Sequence, residues 1–118
     1  MAEGNEEEQR RARIAANEAL YRTVNERLEE LNEALTSVAG DGSMVIVCEC
    51  GDVQCAEQIE VSVDTYESVR ADPTLFIIVP GHEIADVEDI VTHGDSFDIV
   101  CKHKGQGERV ARETDPRR

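Results

Sequence analysis

The chain has 118 residues, 12 Lys and Arg against 26 Asp and Glu, a formal charge of −14, and four aromatic residues with no Trp. One domain with a modest aliphatic core is the expectation at this length. No apolar run approaches the roughly 20 residues that cross a bilayer, and so acidic a chain is a poor binder of nucleic-acid phosphate, which calls for Lys and Arg.

Charge is segregated along the chain. Residues 1–40 carry −4, residues 41–101 carry −13 with Arg70 as their one base, and residues 102–118 carry +3. The opening, Met1 to Glu8, is acidic, unlike the basic-then-apolar start of a secretory signal, so a cytoplasmic protein is expected.

From Glu6 to Val38 the pattern predicts one long helix, with Asn5 as N-cap and Glu8 placed to reach back to it. Glu6–Arg10, Glu7–Arg11 and Glu18–Arg22 have the i,i+4 spacing of helix-surface ion pairs. Ile14, Asn17, Tyr21, Val24, Leu28, Leu31 and Leu35 recur in alternating steps of three and four, an a/d heptad seam. Such a helix would be about 50 Å long, more than so small a domain can cover. Two expectations stay open: pairing of the seam with a protein partner or a second copy, or docking of its lower part on the domain's own sheet. Gly40-Asp41-Gly42 ends the helix.

Met44–Val47 and Ile59–Val63 read as strands, the second alternating cleanly. Asp64 with Glu67 three residues on predicts the start of a short helix, which Asp72-Pro73 stops. On it, Tyr66 and Arg70 form either a recognition surface or a packed ring beside a solvated cation. Leu75–Val79 is an unbroken apolar strand, Pro80-Gly81 turns the chain to present His82, and Gly94-Asp95 joins two further strands as a hairpin. Val87–Thr92 is also compatible with a helix. The expected class is α+β: a long N-terminal helix over 1–40, a mainly antiparallel sheet with one short helix over 41–104, and a flexible basic tail over 105–118.

Cys48-Glu49-Cys50-Gly51-Asp52-Val53-Gln54-Cys55 carries the chemistry. Residues two apart in extended chain face the same way, so Cys48 and Cys50 can aim at one point. Gly51-Asp52 permits the reversal that returns Cys55 to it. Three thiolates suit Zn(II), which takes four N/S ligands in structural sites and would staple a core poor in aromatics. His82 is the favoured fourth ligand, Cys101 the alternative, while His93 and His103 read as surface histidines. The same cysteines could instead serve a redox or metal-responsive switch.

The run Val47-Cys48-Glu49-Cys50-Gly51-Asp52 with Cys55, the segment Tyr66–Arg70 with Pro73 and Phe76, and Pro80-Gly81-His82-Glu83 resemble a family of small uncharacterised bacterial proteins. The likeness extends to Asn17–Tyr21, Asn25–Arg27 and Glu113–Arg117. In that pattern the Pro-Gly-His-Glu element belongs and Cys101 does not, which implies His82 as fourth ligand; no activity comes with it.

Nothing in the chain makes a nucleophile elbow or a phosphate loop of the Walker type. His82-Glu83-Ile84-Ala85-Asp86 has Asp where an H-E-x-x-H zinc helix needs its second His. The expectation is a non-enzymatic, zinc-stapled interaction or regulatory protein.

Overall fold

The computed structural model describes residues 2–39 and 42–117, with side chains for 6–33 and 42–117. In chain order the elements are α1 (Ala2–Ala39), β1 (Ser43–Val47), β2 (Gln58–Ser62), α2 (Val63–Arg70), β3 (Leu75–Ile78), β4 (Glu88–His93), β5 (Asp98–Lys102) and α3 (Gln106–Glu113). The class is α+β. Instead of one sheet there are two, both antiparallel: a β1–β2 pair and a three-stranded sheet in the order β3-β5-β4.

Strand alternation explains the first sheet. Met44 and Ile46 of β1 stand opposite Val61 and Ile59 of β2, and all four are buried. They meet Tyr66 and Val69 from α2 and Phe76, Ile77 and Ile78 from β3 in one core. β3 is apolar on both faces because it is covered on both. The Gly94-Asp95 hairpin forms between β4 and β5, so 88–93 is strand and not helix.

Several local expectations shift. α1 begins at Ala2, which puts Asn5 inside the helix and not at its cap. α2 is capped by Ser62, whose Oγ accepts the Thr65 N–H at 3.0 Å, two residues before Asp64. Residues 106–113, expected within a flexible tail, form α3, whose Ala111 is buried.

The largest departure concerns α1. The face it buries is polar as well as small: Ile14, Ala15 and Ala19 share it with Glu18, Arg22, Asn25 and Glu29. Glu18 and Arg22 do not pair on a surface. Glu18 Oε1 accepts from Lys102 Nζ at 2.6 Å, beside Glu88. Arg22 donates to the Pro73 and Ala111 carbonyls at 2.7 and 2.8 Å and lies over the Phe76 ring. Asn25 donates to the Val47 carbonyl and accepts the Val47 N–H. The upper seam does dock, with Ile14 buried and Asn17 and Tyr21 half-buried. Lower down, Val24 and Leu31 face solvent with Leu20, at 37, 62 and 56% exposure. Leu35 lies outside the described side chains.

Arg70 and Tyr66 form no surface, and Arg70 is not solvated: both are buried, with Arg70 over the Tyr66 ring and paired to Glu49.

Candidate metal centre

The extended stretch after β1 lies between the two sheets. Cys48 N–H donates to the Glu57 carbonyl beside β2 at 2.9 Å, and Glu49 N–H donates to the Ile77 carbonyl of β3 at 2.8 Å. This backbone pairing holds C-x-C straight and sends its alternate side chains apart. Cys48 and Cys50 face one side; Glu49 points the other way, into the core. Asp52 then makes the return. Its side chain accepts the Gln54 N–H and its carbonyl accepts the Cys55 N–H, a tight turn that brings Cys55 back.

His82 arrives from the other sheet. After β3 the chain turns at Pro80-Gly81, where Gly81 has φ +93°, a conformation that strains any residue with a side chain. The His82 N–H closes the turn on the Val79 carbonyl at 3.0 Å.

Cys48, Cys50, Cys55 and His82 come together, with one ligand atom from each and all four atoms within 4.8 Å of one another. His82 Nδ1 lies 3.6 Å from both Cys48 Sγ and Cys55 Sγ. A tetrahedral ion with metal–sulfur bonds of about 2.3 Å and metal–nitrogen bonds of about 2.0–2.1 Å requires an S···N edge of about 3.6 Å. The donors therefore fit a four-coordinate metal ion. Backbone N–H groups are aimed at the sulfurs: Val79 N–H donates to Cys48 Sγ at 3.2 Å, and those of Asp52 and Glu57 act on Cys50 and Cys55. Such donors stabilise thiolate. Hydrogen bonding between the first two sulfurs settles the negative charge on Cys50, pushed down to about 5, while that contact and burial push Cys48 up. Burial raises Cys55.

Two carboxylates that the sequence analysis did not single out complete the site. Glu57 Oε2 lies 3.0 Å from His82 Nε2, so the ring nitrogen turned away from the sulfurs faces a carboxylate. Carboxylate–histidine pairing of this kind fixes the tautomer of a metal-bound imidazole. Glu49 is the other. Alternation in C-x-C already implies that the middle residue faces inward, and an inward carboxylate needs a cation; Arg70 is the one base in 41–101.

Cys101 lies elsewhere. Its Sγ sits on β5 at 3.5 Å from Thr74 Oγ1 and does not join the cluster. His93 pairs with Asp98 and His103 with Asp89. His82 to Asp86 is loop, and Asp86 turns away to a two-pronged contact with Arg10.

Comparison with protein-family models, curated proteins and solved structures gave no match. Among the described residues, no helix is long and apolar enough to cross a membrane.

Proposed function

We propose that the protein is a non-enzymatic, zinc-binding interaction or regulatory protein. In this reading Zn(II) on Cys48, Cys50, Cys55 and His82 is structural, and α1 offers an apolar stripe to a protein partner or a second copy. The observation that carries it is the closed donor set: three sulfurs and one imidazole nitrogen, all within 4.8 Å. Four protein ligands fill a tetrahedron and leave no position for water or substrate. Bound ion would clamp the β1–β2 sheet to the β3 turn, so metal affinity becomes folding free energy.

The stripe supports the second half of the reading. Leu20, Val24 and Leu31 lie on the side of α1 opposite Arg22 and Glu29, which are buried. Four free cysteines suit a reducing compartment such as the cytoplasm.

Metal analysis of freshly purified protein tests the site. One zinc per chain is expected, with loss in Cys50→Ser and His82→Ala; a metal-free, fully folded and chelator-indifferent protein overturns the reading. Light scattering and pull-down, with Val24→Glu/Leu31→Glu as the control, test the stripe. A monomer that captures nothing removes that half.

One observation favours a second reading, a thiol switch. A cleft of about 300 Å³ beside the cluster is lined by Cys50, Asp52 and His82, and Cys55 is only partly buried, which gives a small oxidant a route toward the cluster. Two thiolates would join as a disulfide, peroxide with two protons would become two waters, and zinc would leave. If peroxide neither ejects zinc nor changes helicity, this reading fails.

A further inference from the structure

Lys102 and Lys104 are the only lysines in the chain, and both line a single cavity of about 210 Å³ where β5 gives way to α3. Arg11 of α1 and His103 line it too. This gathering of cations stands out on a molecule of charge −14.

Lys102 is a built element of the cavity. Its side chain is 1% exposed, and its ammonium group donates to Glu18 Oε1 at 2.6 Å and Glu88 Oε1 at 3.2 Å. An ammonium group has three donors, so one N–H remains beyond these two contacts. The first turn of α3 lies directly on this lysine tip: a Cβ at Gly107 would come within 3.0 Å of Lys102 Cε. Gly105 caps α3 without a side-chain hydrogen bond, and Gln106 and Gly107 border the same cavity. First-turn amides are donors with no partner inside their own helix.

Carboxylates also stand around the cavity: Glu18 and Glu88 share the single Lys102 ammonium. Asp86, which also lines the space, is held by Arg10 at 2.8 and 3.2 Å, with Arg11 Nε 3.9 Å away. Asp89 faces His103 Nε2 at 3.1 Å. Lys104 has no counterpart among these contacts.

We propose that this cavity binds the phosphoryl group of inorganic phosphate or a small phosphate monoester, with Lys104, Arg11, the Lys102 ammonium and the α3 first-turn amides as donors. Several cations and amides converging from different directions match an anion with three or more acceptor oxygens better than a flat carboxylate. The volume lies below the roughly 300–1,000 Å³ of sites for drug-sized ligands, which restricts the ligand to a small one. The site is independent of the metal centre.

Titration of the ¹⁵N-labelled, metal-loaded full chain at low ionic strength tests it, with inorganic phosphate, glycerol 3-phosphate, succinate and sodium chloride as separate arms. Saturable shifts at Lys104 to Gly107 are expected with the phosphates. Tighter binding of the free ion or of the ester identifies which source fits. Lys104→Ala and Arg11→Ala should each weaken binding about tenfold, as loss of a charged hydrogen bond does. Arg109→Ala removes the same charge from an α3 residue outside the cavity and should change affinity less than about twofold. No shift with phosphate, equal shifts with chloride or succinate, or equal weakening by Arg109→Ala overturns the proposal.

Discussion

Oε1 of Glu49 lies 3.0 Å from Nη2 of Arg70, and both side chains are sealed from water. The same oxygen accepts the Ile77 N–H at 2.9 Å, and the other accepts from Asn25 at 2.7 Å. One carboxylate, placed between two cysteines of the cluster, thus ties the loop to α1, α2 and β3. Removing one partner of a buried pair strands the other charge, at a cost of about 3–5 kcal/mol. Glu49→Gln is expected to lose stability of that order in urea denaturation of the metal-loaded protein. Glu49→Leu/Arg70→Met should recover only part of it, since it removes the stranded charge but leaves the Ile77 N–H and the Asn25 amide without their acceptor. A Glu49→Gln protein as stable as the parent would show that the pair is not what holds the loop.

Glu57 is more than half exposed, so its removal should spare the fold while releasing His82. Loss of such a carboxylate lowers metal affinity about 10–100-fold. Chelator competition on Glu57→Gln checks this, with thermal unfolding of the loaded protein as the control. Unchanged affinity would mean that His82 is oriented by its turn alone.

Gly51 is buried where α1 crosses the cysteine loop. A Cβ there would come within 2.5 Å of Ile14 Cγ2. Gly51→Ala should therefore cost about 1–3 kcal/mol through overpacking. Ile14→Ala removes the obstructing methyl, so the double variant should be more stable than the two single losses add up to, with a coupling of about 0.5–3 kcal/mol. Strict additivity would place the strain elsewhere.

Burial, aided by Glu67 and opposed by Arg117, pushes the Glu29 carboxyl up to about 7 from its ordinary 4.5. The folded chain holds this proton more tightly than the unfolded chain. The associated stability is whole below about 4.5 and is lost as pH rises through 7. Glu29→Gln lacks this titration, so it should gain on the parent between those limits and hold a constant difference above them. Unfolding free energies of the two proteins from pH 4.5 to 8 check the sign; parallel curves would refute it.

Local pattern made much of the fold legible. Alternation marks β2, an unbroken apolar run marks β3, and Gly94-Asp95 marks the hairpin, because each is decided within a few residues. The cysteine spacing, with a histidine on a rigid turn, likewise names the four residues that meet. The polar interior was not legible. Glu18, Arg22, Asn25 and Lys102 have the composition of a solvated face, and they are buried because Lys102, Ala111 and Val47 arrive from positions 22 to 89 residues away in the chain. Which part of the heptad seam docks was not legible for the same reason: the rotation of α1 is decided by those distant partners and not by where its leucines fall. α3 was missed because a short, charged helix with few apolar residues is visible only once α1 is there to receive Ala111.

An oily helix face tolerates sliding, since one methyl group substitutes for another. The face that α1 buries has no such tolerance: a shift of one turn would misalign the Lys102, Ala111 and Val47 contacts together. α1 is consequently indexed, fixed in azimuth and in height like a gear tooth in its slot. Leu20, Val24 and Leu31 are thereby displayed at a set bearing relative to the cysteine loop, so whatever meets them meets a surface with a defined heading.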